Sequence, residues 1–141
     1  MRSIVLALLA SCSTAGGPVP SIPPAHVRAQ ATEIVERELV ARHATSPFIY
    51  TETYWVAGRS LEIDGRPGES RGASYTGLRA DGIPDCLLVI PISGPISTSS
   101  FVHEVTHCLL LVQYGDPDDE HRRAEWAWTV EINKALAKEG L

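Results

Sequence analysis

His103-Glu104-Val105-Thr106-His107 sets two imidazoles four residues apart, with a carboxylate beside the first. On a helix, residues i and i+4 share a face, so both rings can aim at one metal ion, with Zn²⁺ the expected one. Glu104 is turned about 100° around the helix from His103. It can therefore reach a water on the metal without becoming a ligand, which suits a general base. The chemistry such a set supports is metal-assisted hydrolysis.

A catalytic zinc needs a third protein ligand and an open position. The extended pattern H-E-x-x-H-x-x-G-x-x-H is absent, since Leu110 and Gln113 stand at the required Gly and His. Met1 is the only methionine, so no Met-turn exists, and the metzincin layout is excluded. Two candidates remain. His121 follows the Gly115-Asp116-Pro117 turn, near the expected start of a last helix that could return it over the metal. Glu125 is four residues further on, on the same helical face, at a spacing comparable to that of the gluzincin layout. Glu125 could instead hold His121 as its hydrogen-bond partner.

The run His103-Glu104-Val105-Thr106-His107, then Asp118-Asp119-Glu120-His121, then Trp126 resembles the SprT-like zincin metalloproteases. That family has H-E-x-x-H, an Asp-rich turn, and a third His on the next helix followed by an aromatic. The Ala73-Ser74-Tyr75 strand leading to an apolar strand before the metal helix is similar in order. The resemblance covers about half the chain and implies a zincin architecture with His103, His107 and His121 as zinc ligands. Arg122 stands where the family usually has Gly, and no CxxC pair is present. The ligand roles carry over; the DNA-linked roles of intracellular relatives do not.

These residues need elements to position them. The metal helix is expected over roughly Ser99 to Tyr114, with Ser97 to Ser100 as N-cap candidates and Gly115 as its stop. Ala25 to about Ala44 reads as a first helix, with Val27, Ala31, Ile34, Val35 and Leu39 along one stripe. Phe48 to Val56 reads as a strand, with Arg59 to Ile63 pairing to it as a hairpin. Residues Asp64 to Glu69 read as loop, Ala73 to Leu78 and Cys86 to Ile92 as strands. A last helix is expected from about Asp119 to Lys138, capped by Asp118 or Asp119. The class is α+β: N-terminal helix, small mainly antiparallel sheet, active-site helix, C-terminal helix.

The chain opens with Met1-Arg2-Ser3, runs apolar from Ile4 to Ala10, and reaches Leu9-Ala10-Ser11-Cys12. A positive start, a short apolar stretch and small residues make a secretory signal over 1–11. Leu-Ala-Ser-Cys also looks like the bacterial lipobox, which implies that Cys12 is lipidated. Residues 12–24, rich in Gly and Pro, read as a tether, and 25–141 as one folded domain. The expected location is therefore an exported lipoprotein, membrane-anchored and facing periplasm or cell exterior. Cys86 and Cys108 are the remaining thiols; export favours a disulfide, and their apolar surroundings also suit buried free thiols. A net charge of −5 offers no nucleic-acid footprint.

For an oxyanion, Tyr114, Tyr54, Tyr50, His43 and Arg122 are all candidates that the sequence does not rank. His26 and His43 read as solvated. Trp126 and Trp128, two apart on a helix, face differently; Trp126 could close over the metal, with plain core packing its default. Asp116, Asp118, Asp119 and Glu120 lack the ordered Ca²⁺-loop spacing and read as a turn with helix-dipole charges. The expected function is a zinc peptidase acting on a peptide or protein. The alternative is a lipoprotein of the same fold that binds metal or a partner without catalysis.

Overall fold

The structure, a computed structural model, describes residues 21–58, 61–63, 66–70 and 73–141. The expected signal segment, Cys12 and the tether up to residue 20 lie outside the described residues. Helix α1 (Ala25–Ala41) leads to a single 3₁₀ turn at Phe48–Tyr50 and strand β1 (Thr51–Ala57). Strands β2 (Leu61–Ile63), β3 (Arg66–Ser70), β4 (Ala73–Leu78) and β5 (Pro84–Ile92) follow. Helices α2 (Phe101–Tyr114) and α3 (Trp126–Lys138) complete the fold. The architecture is α+β with a small mixed sheet.

Three strands form the main sheet in the order β1-β5-β4. β5 pairs with β4 antiparallel, Thr76 opposite Cys86, across a tight turn at Asp81-Gly82. It pairs with β1 parallel, Thr51 opposite Cys86. The sheet is thus mixed rather than mainly antiparallel. β1 takes the most apolar strand as its neighbour, although no residue of β1 is itself fully buried. The hairpin expected between β1 and Arg59 to Ile63 does not form; β2 pairs with β3 instead, and residues 66–69, expected as loop, belong to that partner. The turn signals in this stretch mark a separate two-stranded ribbon.

β5 alternates in burial, sending Cys86, Leu88, Ile90 and Ile92 to the helical side. There Leu88, Ile90 and Ile92 meet Ala31, Ile34, Val35 and Leu39 of α1, a stripe expected from the sequence, with Phe101, Val102, Val105 and Leu109 of α2 and Ile132 and Leu136 of α3, while Cys86 packs with Cys108 and Leu111. Phe101 is fully buried, its ring 4.9 Å from that of Trp55. Phe101→Ala is expected to cost about 3–5 kcal/mol, the usual range for a buried aromatic. Equilibrium urea denaturation would check this; a loss under 1 kcal/mol would mean that the site collapses around the smaller residue.

Cys86 and Cys108 are joined by a disulfide, Cα–Cα 5.9 Å, tying the start of β5 to the second half of α2. Ser100 occupies the N-cap position of α2, and its carbonyl accepts from the Glu104 amide at 2.9 Å. Gly115 ends the helix with φ +72°, a left-handed conformation that glycine adopts without steric cost, and its N–H returns to the Leu111 carbonyl. The last helix starts at Trp126, not near Asp119. Asp118 and His121 both have φ +54°, which helical backbone does not allow, and residues 115–125 form a loop. Among the described residues no helix is long and apolar enough to cross a membrane.

Candidate metal centre

Helix α2 sets His103 and His107 on one face, as the i, i+4 spacing requires. The loop after α2 brings His121 to them. One ring nitrogen from each of the three lies within 4.8 Å of the others, so the three can hold a metal ion. Their ring centroids form a nearly equilateral triangle with sides of 5.1, 5.0 and 5.1 Å. His121 Nε2 stands 3.3 Å from His103 Nε2. Two nitrogens bound at zinc-like distances to one tetrahedral ion would stand about 3.3 Å apart.

His107 adds a chemical argument. Its Nδ1 lies 2.9 Å from the Pro117 carbonyl oxygen. A carbonyl only accepts, so Nδ1 carries the proton, and in the neutral ring Nε2 keeps its lone pair. A backbone carbonyl orienting the far nitrogen is the usual support for a metal-ligating histidine. Burial, then the charges of His107 and His121, lower the His103 pKa to about 4. That ring is therefore already deprotonated near neutrality, as a ligand must be.

Glu104 is buried, 6 % exposed, next to this triangle. Burial raises its pKa, opposed by a hydrogen bond from Ser74 and by His107 and His121 nearby. The result is a carboxylate more basic than one in water. Ser74 belongs to β4, which packs against α2. Nothing in the sequence singles it out.

Trp126 closes one side of the site. Its ring lies 4.9 Å from that of His103, 4.7 Å from His107 and 4.3 Å from His121. The expectation of core packing therefore fails for Trp126, while Trp128, facing differently, packs on the hydrophobic core. Asp118 binds the Trp126 indole, Nε1 donating to Oδ2 at 2.8 Å. The same oxygen accepts the Arg123 amide at 2.8 Å. Desolvation pushes the Asp118 pKa up, but these and other hydrogen bonds outweigh it and hold the carboxyl below its ordinary value. The Asp-rich run that reads as a turn with helix-dipole charges is in fact the framework of the third histidine.

Glu125 points elsewhere. It accepts a hydrogen bond from the Tyr114 hydroxyl at 2.5 Å, and the Arg123 guanidinium lies over the Tyr114 ring at 4.0 Å. It occupies the N-cap position of α3 rather than sharing a helical face with His121. The oxyanion candidates scatter. Tyr114 is engaged with Glu125, exposed Tyr54 donates to Glu52, and Arg122 pairs with Glu120 on the exposed loop. Tyr50 lines a shallow cavity with Thr51, Glu52 and Asp85. His26 and His43 are exposed, as expected.

No family model, curated protein or solved structure matches this chain.

Proposed function

We propose that the chain is a zinc-dependent peptidase of the zincin type, most like the SprT-like metalloproteases, exported and held at a bacterial membrane by a lipid on Cys12. The observation that carries this reading is the triangle of His103, His107 and His121 beside the buried Glu104. Three imidazoles with no fourth protein ligand among the described residues fit a catalytic rather than a structural zinc, which is usually closed by four. Bound there, Zn²⁺ would polarise a peptide carbonyl and acidify a water.

The protein's own groups do the rest. Glu104 takes the proton of the attacking water and later passes it to the leaving amine. Ser74 holds the Glu104 carboxylate in place from β4. β4 is an edge strand of the main sheet among the described residues, so its free backbone can align an extended peptide across the front of α2. The disulfide agrees with an oxidising compartment outside the cytosol.

The test is zinc content per chain by elemental analysis, with cleavage of an unfolded protein substrate followed in parallel. One zinc per chain is expected in the parent and in Glu125→Ala, and none in His121→Ala. Loss with Glu125→Ala alone would transfer the third-ligand role to Glu125. No zinc in the parent after reconstitution would sink the enzyme. Zinc without cleavage of any peptide, in parent and Glu104→Gln alike, would leave a metal-binding lipoprotein that does not catalyse.

A further inference from the structure

We propose that Asp118 is the positioning residue of the three-histidine site: its buried side chain shapes the loop that delivers His121 and anchors the Trp126 wall. The proposal rests on the metal-binding reading above and adds to it the device that assembles the site.

Residues 115–125 lie in neither helix nor strand, yet they deliver one candidate ligand and support another. Such a loop has no ladder of hydrogen bonds to hold it. Asp118 supplies a substitute. It is 8 % exposed, and a single oxygen, Oδ2, accepts both the Arg123 amide and the Trp126 indole at 2.8 Å. Its backbone carbonyl accepts the His121 amide at 2.9 Å. Its own amide is held by Asp116 Oδ1 at 2.9 Å. The residue before it, Pro117, offers the carbonyl that orients His107. One residue is thus bonded to or adjoins the supports of His107, His121 and the ring that touches all three histidines.

The geometry also says which replacements separate the possible roles. Asp118 sits at φ +54°, where Asn is tolerated and Gly is free of cost. Asp118→Asn keeps one side-chain acceptor oxygen in reach of both donors and keeps the backbone tolerance. Asp118→Gly keeps the backbone and removes the acceptor. Asp118→Ala removes both.

The experiment uses the full chain, with Zn²⁺ affinity measured by competition against a chromophoric chelator. The melting temperature of the zinc-free protein and the visible spectrum of the Co²⁺-substituted protein are recorded alongside. Asp118→Gly and Asp118→Ala are expected to weaken zinc binding about 10–100-fold and to distort the Co²⁺ bands, the usual effect of losing a group that orients ligands. Asp118→Asn is expected to bind close to the parent with an unchanged spectrum. Parent-like affinity in Asp118→Gly would overturn the proposal while leaving the metal site intact. So would zinc-free melting temperatures that fall across the variants with affinity unmoved, since that marks a carboxylate that only stabilises the fold. A parent that binds no zinc overturns the metal reading itself, and the Asp118 role with it.

Discussion

Glu104→Gln is expected to lower peptide-bond cleavage by roughly 10²–10⁴-fold, the span that a positioned general base contributes, while zinc content stays at the parent's value. The substitution is nearly isosteric. Its amide oxygen still accepts from Ser74, so the side chain remains where the carboxylate was. Stability should not fall, because the variant buries a neutral group where the parent buries a carboxyl whose charged form burial disfavours. The whole effect should therefore sit in kcat, with the metal triangle untouched. Steady-state rates on an unfolded protein substrate, alongside elemental analysis and thermal melts, separate these outcomes. Equal rates in variant and parent would remove Glu104 from the chemistry. Loss of zinc together with activity would make it a structural support of the ligands instead.

The second large effect concerns the disulfide. Replacing Cys86 and Cys108 together by Ala is expected to cost about 3 kcal/mol, from the loop-closure entropy of a bridge spanning 22 residues. For a domain of this size that lowers the melting temperature by roughly 12 °C. Ala suits the site because both positions are buried beside Leu111 and Val112, and it adds no polar atom there. The bridge fastens β5 to the helix that carries His103 and His107, so the variant should also bind zinc more weakly near its melting range. Calorimetry of the zinc-free and zinc-loaded proteins would show both. An unchanged melting temperature would mean that the packing around these two sulfurs, rather than the bond, holds the elements together.

Much of the candidate site can be read in the chain because it lies on one helix. His103, Glu104 and His107 follow from i, i+4 geometry, and the apolar residues between them compel the helix to be buried. The α1 stripe and the apolar β5 were equally legible, since period and composition report burial directly. What escaped is what depends on the loop. Asp118-Asp119 looks like a helix start because Asp is a good N-cap. Here Asp118 uses its carboxylate on Arg123 and Trp126 further along, which postpones α3 to Trp126. Ser74 carries no local signal, because its role is set by a strand placed against a distant helix. The partner of β1 escapes for the same reason: strand period reports which face is buried, not which neighbour is chosen.

The parallel pairing of β1 with β5 bears on how this chain reaches its fold. Thr51 and Cys86 lie side by side, yet β2, β3 and β4 all intervene between them. That stretch must be looped out, at an entropic cost, before a single β1·β5 hydrogen bond can form. The β4–β5 turn and helix α2 need only near neighbours and can form early. β1 is expected to dock last, leaving that β5 edge bare until then. Refolding should accordingly run slower than in a helical protein of equal length, and the open β5 edge is where a partly folded chain would seize a second copy of itself.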